Sequence, residues 1–411
     1  MIKTGKEPIP VLTYIAIMSV CFIINLPGVA VAPIEGKLRE TLHTSELEIQ
    51  LLTTLPNFVI IPFVLIAGKL SDYKHKLVLV TIALIIFFGS GILYLVARDM
   101  NGLIVACCLL GVADGILIPF AMGFVVNSFN GKYRTRNLGV KSAVSNFGTV
   151  VAGFVIGFLI QKNNWHLPFA VYLVSVVPLI FCYWLKYIPG FGDIPISASP
   201  AQLNQAKISP GNKSGLIGKR IWALIGNNVY ITFVTFVIVI YLPQLLIQNN
   251  MNPKLGADVM AVFFIAVLSS GFVLENILKG FKSLVFPLIG FLVTVGLALF
   301  VFIPKTWAMY CGAVLSGWAF GIAQPLIYDK TSYAIIDPKK NIFGLALVLC
   351  ALYIAISAEP FIITGISKLF KIKSINTFAF QLSFWMGVAY TILSFILRKK
   401  FAFSIEKNYY S

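Results

Sequence analysis

Gly111-Val-Ala-Asp114-Gly115-Ile-Leu-Ile-Pro119 lies inside a long apolar run, and Gly317-Trp-Ala-Phe-Gly321-Ile-Ala-Gln-Pro325 repeats its plan in the second half of the chain. Gly, Ala, Gly, Ile and Pro coincide at the same spacing. Two more correspondences occur in the same order along the chain. Asn25-Leu-Pro27 is echoed by Tyr241-Leu-Pro243, and Arg136-Asn-Leu-Gly139 by Lys340-Asn-Ile-Phe-Gly344. Gly and Pro are frequent in spanning helices, so chance competes with any single pair. Three pairs in order predict two repeats of the same orientation.

Outward from that stretch the chain is apolar throughout. Of 411 residues, 58% are hydrophobic and only 11% charged, where soluble chains carry about 25% charged residues; the mean hydropathy is +0.89. A spanning helix needs roughly 20 apolar residues to cross a hydrocarbon core of about 30 Å. Such runs occur near 10–33, 47–68, 77–97, 102–127, 138–160, 167–186, 221–247, 257–275, 284–303, 307–329, 342–366 and 378–397. The pattern predicts an all-α polytopic membrane protein of twelve transmembrane helices in two parallel six-helix repeats. The one long polar stretch, rich in Pro, Gly, Ser, Asn and Gln, divides six runs from six. The expected organisation is therefore an N-terminal bundle at 1–187, a linker at 188–220 and a C-terminal bundle at 221–411.

Charge supplies the orientation. The formal net charge of +17 would suit nucleic acid, but with the N-terminus inside, 23 of the 32 Lys and Arg fall in cytoplasmic segments and 9 outside. That bias is the one that orients membrane proteins. The basic groups are read as orientation signals and contacts to anionic lipid, with no nucleic-acid partner. The expectation is a multi-pass protein of the cytoplasmic membrane with both termini cytoplasmic and the chain a monomer. The first apolar run follows only Lys3, Lys6 and Glu7 and has no convincing cleavage site, so it is read as a span.

Catalytic and metal chemistry find little support. Cys21, Cys107, Cys108, Cys182, Cys311 and Cys350 all fall within apolar runs without metal-ligand spacing, which favours small-residue packing over redox or metal roles. His43, His75 and His166 fall between the runs. There is no Ser/His/Asp arrangement and no Gly-rich phosphate loop. A membrane-embedded enzyme or a receptor is the competing class, and neither an enzyme, a cofactor nor a metal is expected.

Between the second and third runs lies Gly68-Lys69-Leu70-Ser71-Asp72-Tyr73-Lys74-His75-Lys76. Here the sequence resembles the major facilitator superfamily, whose loop signature is Gly-x-Leu-Ala/Ser-Asp-Arg-x-Gly-Arg-Arg/Lys. Gly68, Leu70, Ser71, Asp72 and Lys76 match, while Tyr73, His75 and Leu77 depart. Gly271 and Glu275, followed by Lys279 and Lys282, form a worn counterpart in the second half. Gly68 permits close helix approach, and Asp72 can face a helix N-terminus or a basic group. Gly68, Asp72, Lys76, Arg134 and Arg136 are accordingly expected to gate. In the fifth run Gly139, Gly148, Ala152, Gly153 and Gly157 partly match the signature of the superfamily's proton-coupled drug exporters. The Arg those exporters usually place in the fourth run is Cys107 here, so coupling through it is excluded.

Acids inside the bilayer cost about 2.5 to 3.5 kcal/mol each on insertion scales. Asp114 is near mid-membrane, and Glu359 precedes Pro360 in the eleventh run. No Lys or Arg stands at comparable depth, so burial disfavours the charged carboxylates and makes Asp114 and Glu359 candidate proton carriers. An acid merely hydrogen-bonded to a neighbouring helix is the alternative. In the superfamily the first, fourth, seventh and tenth helices line the central cavity. The resemblance thus implies Asn25, Tyr230, Tyr241, Gln244, Trp318, Gln324 and Tyr328 as substrate-lining groups, beside Asp114. Aromatic faces with polar tips suit a small amphipathic organic solute. The reading is a secondary transporter driven by the proton gradient and working by antiport as an exporter. The alternative is a proton symporter importing an organic acid, such as a conjugated bile acid or another carboxylate metabolite.

Overall fold

The structure is a computed structural model, and it describes residues 1–5, 8–27, 29–31, 34–42, 46–71, 76–160, 164–188, 219–252, 255–335, 340–372 and 374–404. Among these every regular element is helical, apart from one isolated antiparallel bridge between Ile2 and Ile9. The helices are α1 (Val11–Ile23), α2 (Glu35–Leu42), α3 (Glu46–Leu70), α4 (Lys76–Val96), α5 (Met100–Ser128), α6 (Gly131–Ile160), α7 (Leu167–Tyr187), α8 (Lys219–Gln248), α9 (Leu255–Phe281), α10 (Val285–Phe302), α11 (Thr306–Ala334), α12 (Asn341–Leu369) and α13 (Ile375–Ile396). All but the short polar α2 coincide with the twelve apolar runs. Large apolar side chains such as Phe154, Phe158, Trp222, Phe361 and Trp385 are exposed along them. In water so much bare apolar surface would aggregate; in a bilayer it is the lipid-facing side, and helices satisfy their own backbone hydrogen bonds there.

Two runs differ in detail from the expectation. The first helix stops at Ile23 after 13 residues, about 20 Å at 1.5 Å per residue, short of the full hydrocarbon core. Pro27 marks the stop: it has no N–H to bond the Ile23 carbonyl and disfavours helical backbone at Leu26, and residues 24, 25, 27 and 29–31 lie in turns. The sixth run is one continuous stretch of alternating 3₁₀ and α-helix, with Pro168 at its start and Pro178 within it. Pro also sits inside α3, α5, α8, α11 and α12, at Pro56, Pro62, Pro119, Pro243, Pro325 and Pro360. Each withdraws one donor from its helix ladder.

The chain divides into two compact units. The first contains Met1–Arg134, Val144–Asn212 and Ile335–Tyr353; the second contains Thr135–Ala143, Lys213–Ala334 and Ile354–Ser411. The opening turns of α6 therefore pack as part of the second unit, and those of α12 as part of the first. Inside the first unit, α5 packs on α3, α4 and α1, and α7 on α4 and α1. Inside the second, α11 packs on α9, α10 and α8, and α13 on α10 and α8. Counted in order through each set of six, these pairs correspond one to one, so the repeat seen in the sequence is a repeat of packing.

The glycines give the physical reason. A Cβ added at Gly111 would lie 2.9 Å from Val59 Cβ and 3.0 Å from the Pro56 carbonyl of α3, and one at Gly115 2.7 Å from Phe63 Cβ. On α11, a Cβ at Gly317 would lie 2.6 Å from the Phe263 carbonyl of α9, and one at Gly321 would collide with Ser270. Both helix pairs approach until backbone meets backbone, a separation only Gly permits.

Candidate functional site

The second unit gathers most of the candidate residues. Glu359 on α12 has no solvent exposure, and neither carboxylate oxygen has a hydrogen-bond partner among the described residues. Pro360 follows it and cannot donate to the Ile356 carbonyl, so the helix carries a missing ladder bond beside the acid. The Ser357 Oγ, two residues before Glu359, is likewise buried without a partner among the described residues. Tyr241, buried on α8, lies within electrostatic reach of the Glu359 carboxyl. Tyr241 and Glu359, assigned from the sequence to different roles, thus share one neighbourhood.

A second cluster joins α8 and α11. The Gln324 amide donates from Nε2 to Asn228 Oδ1 at 3.1 Å and to Thr232 Oγ1 at 3.4 Å, while its buried Oε1 accepts nothing among the described residues. Phe236 meets Phe320 edge-on at 5.6 Å in the same seam. Tyr230 stacks on Tyr390 with ring centroids 5.5 Å apart, and its hydroxyl donates to the Met386 carbonyl at 2.9 Å. Tyr390 in turn donates to Asn227 Oδ1 at 2.7 Å. Trp318 donates from Nε1 to Ser269 Oγ at 3.0 Å, Tyr328 is buried, and Gln244 is exposed.

In the first unit Asp114 stands at the middle of α5, 1% exposed. Asn25 lies beyond the end of α1 and is exposed; its backbone carbonyl accepts from Thr149 Oγ1 at 3.4 Å. Of the expected gating groups, Gly68 packs where a Cβ would lie 2.7 Å from Ala346 Cβ of α12, Lys76 and Arg134 are buried, and Arg136 is exposed. Asp72 lies outside the described residues. In the second unit Gly139 and Gly271 meet in the same way, a Cβ on Gly139 falling 2.7 Å from the Gly271 carbonyl.

Sequence reasoning passed over several residues that organise these clusters: Asn227, Asn228, Thr232, Tyr390 and Thr135. Thr135 Oγ1 donates at 2.7 Å to Asp329 Oδ2, a carboxylate with no exposure. Two consecutive asparagines in an apolar run were the available signal for the first pair. Polar groups at that depth are costly unless satisfied. Among the described residues no group of three or more His, Cys, Asp or Glu is placed to hold a metal.

The model of the Major Facilitator Superfamily matches residues 13–358. The multidrug transporter protein MdtP of Bacillus subtilis is 29% identical over 184 residues, 44% of this chain and 34% of that protein. The quinolone resistance protein NorA of Staphylococcus aureus is 25% identical over 115 residues, 28% of this chain and 29% of that protein. The matches thus span about a third of these relatives' length. The solved structure of the proton:xylose symporter XylE superposes with a TM-score of 0.70 at 13% identity, covering 94% of each chain. That of the human organic anion transporter MFSD10 gives 0.68 at 12% identity, covering 93% of this chain and 96% of that one. At such identities the structures establish a common fold.

Proposed function

The chain belongs to the Major Facilitator Superfamily, and from that premise we propose that it exports a small amphipathic organic solute across the cytoplasmic membrane by proton antiport. It is a multi-pass membrane transporter and not an enzyme, and it needs no cofactor. The observation that carries the proposal is Glu359, wholly buried in a membrane-spanning helix with neither oxygen hydrogen-bonded among the described residues. Holding a carboxyl there costs stability, and a cost borne without a structural partner is explained by a task that needs the group to gain and lose a proton. Asp114, near the middle of α5, is the second candidate carrier. The aromatic and amide groups Tyr230, Tyr241, Trp318, Gln324 and Tyr328 form the substrate-recognising set, and the similarity to MdtP and NorA supports the exporter direction. The gating set is Gly68, Asp72, Lys76, Arg134 and Arg136, and the Lys and Arg distribution supports cytoplasmic termini.

The second reading is proton symport of an organic acid. It draws on the Asn228, Thr232 and Gln324 cluster, whose hydrogen-bonding capacity suits a polar solute, and it shares the same acid. Proteoliposomes separate the two. With an imposed pH gradient, wild-type protein should drive ethidium against its own gradient in exchange for protons, and Glu359→Gln should leave only downhill flux. Ethidium flux indifferent to the pH gradient in both proteins would sink antiport, and proton-driven accumulation of a carboxylate in the same sense as the protons would install the symport reading.

A further inference from the structure

Residues 397–404 fold into successive turns, closed by Lys400 N–H to Leu397 O at 2.7 Å, Phe403 N–H to Lys400 O at 2.9 Å and Ser404 N–H to Lys400 O at 2.8 Å. This strap is seated in the second unit by contacts to four helices. Asn227 of α8 donates from Nδ2 to the Ala402 carbonyl at 3.2 Å. Lys330 of α11, itself 4% exposed, donates from Nζ to the Ser404 carbonyl and lies 4.6 Å from the centre of the Phe401 ring. Arg220 approaches the same ring at 5.1 Å. Phe403, 8% exposed, meets Phe286 of α10 at 5.8 Å and Tyr390 of α13 at 6.1 Å.

Two of these contacts lead to the recognition set. Asn227 has its amide held from both sides, by the strap at Nδ2 and by the Tyr390 hydroxyl at Oδ1, and Tyr390 is the ring on which Tyr230 stacks. The next residue, Asn228, holds Gln324. Lys330 lies on α11 fewer than two turns beyond Gln324, and a buried ammonium requires acceptors that the strap's carbonyl and ring face supply. We propose that the C-terminal strap, residues 397–404, is a positioning element of the transport site: docked, it fixes α8 at Asn227 and α11 at Lys330, and so sets Tyr230 and Gln324 for substrate. The proposal rests on the function given above for Tyr230 and Gln324, while the docking itself does not.

Two shortened chains test it, one ending at Lys400, which removes the strap's anchors, and one ending at Ser404, which keeps them. In hydrogen exchange, the chain ending at Lys400 should lose about tenfold protection in the peptides around Asn227 to Thr232 and Gln324 to Lys330, and the chain ending at Ser404 should match the full chain. Ethidium affinity should fall about fivefold in the first only, the size expected for losing the two hydrogen bonds to Ala402 and Ser404 at the low end of their usual worth, and a synthetic peptide of residues 397–411 in excess should restore it. Unchanged protection in a monodisperse chain ending at Lys400, or equal loss in the chain ending at Ser404, overturns the proposal. If the chain ending at Lys400 does not fold, the full-length Phe401→Leu/Phe403→Leu variant, which keeps bulk and removes the rings, is read for the same losses. Should the full chain bind no ethidium, the substrate reading fails and hydrogen exchange alone decides the strap.

Discussion

In α5 the residue after Ala113 is Asp114; in α11 the residue after Ala319 is Phe320, whose ring meets Phe236 edge-on. Around these two positions the glycines coincide, and each presses its helix against the corresponding neighbour, α3 or α9, at backbone contact. Further along, Ile118 of the first stretch is Gln324 in the second. The repeats thus agree at both glycines where a Cβ would collide with a neighbouring backbone, and at Ala113, Ile116 and Pro119, and they differ at Val112, Asp114, Leu117 and Ile118, where the second copy has Trp318, Phe320, Ala323 and Gln324. Packing in lipid constrains the first kind of position tightly, whereas the second can be given chemistry in one copy alone. Glu359 follows the same rule: the corresponding stretch of α6, Phe154-Val155-Ile156, has no acid. The working residues of this transporter are therefore to be sought where the two copies differ.

The largest expected effect follows from that asymmetry. Glu359→Gln should abolish pH-driven accumulation of ethidium in proteoliposomes while leaving downhill flux. Asp114→Asn sharpens the comparison, because equal loss in both variants makes the two acids one coupled system, and loss in only one assigns the coupling to a single repeat. Retained accumulation in both would remove the buried acids from the mechanism.

Next in size is the shared packing. Gly111→Val and Gly317→Val should each lower the stability of the purified protein by about 3 kcal/mol, since the new side chain meets a carbonyl and a neighbouring Cβ that cannot move aside. The denaturant midpoint measures it. Markedly unequal losses would break the claim that the two copies pack alike.

A third comparison concerns the far ends of α5 and α11. In the first unit Gly123 sits where a Cβ would lie 2.6 Å from Ile342 Cγ1, at the start of α12. In the second, Asp329 occupies the matching place and takes the hydroxyl of Thr135, at the start of α6. An apolar contact in one copy is a buried hydrogen bond in the other. Thr135→Val should cost about 2 kcal/mol, because a buried carboxylate loses a donor. Thr135→Ser should recover most of it.

How much of this was readable beforehand depends on distance along the chain. The twelve runs and the repeat are local patterns of hydrophobicity and small residues, and both were legible; the close approach expected at Gly68 is seen there, while that at Gly111, Gly115, Gly317 and Gly321 depends on which helix lies opposite. The pairing of Asn227 with Tyr390 and Ala402, and of Thr135 with Asp329, joins residues more than 160 positions apart; no periodicity encodes such partners. The exchange of Thr135–Ala143 and Ile335–Tyr353 between the units is hidden for the same reason. The short first helix is a different case, since Pro27 was in view and its local effect outweighed the apolar run around it.

The smallest effect tests whether a difference between copies is structural at all. Trp318 of the second repeat stands where the first has Val112, and its Nε1 donates to Ser269 Oγ at 3.0 Å. Trp318→Phe keeps a ring and removes that donor. Ser269 still donates to the Ala266 carbonyl at 2.9 Å, so it is not stranded. Hydrogen bonds between membrane helices average only about 0.6 kcal/mol, because the unfolded chain in lipid also finds partners. The denaturant midpoint should therefore scarcely move, while ethidium affinity shifts if the indole recognises substrate. A destabilisation of about 2 kcal/mol or more with unchanged affinity would make Trp318 a packing residue, and would show that positions at which the repeats differ need not be positions at which they work.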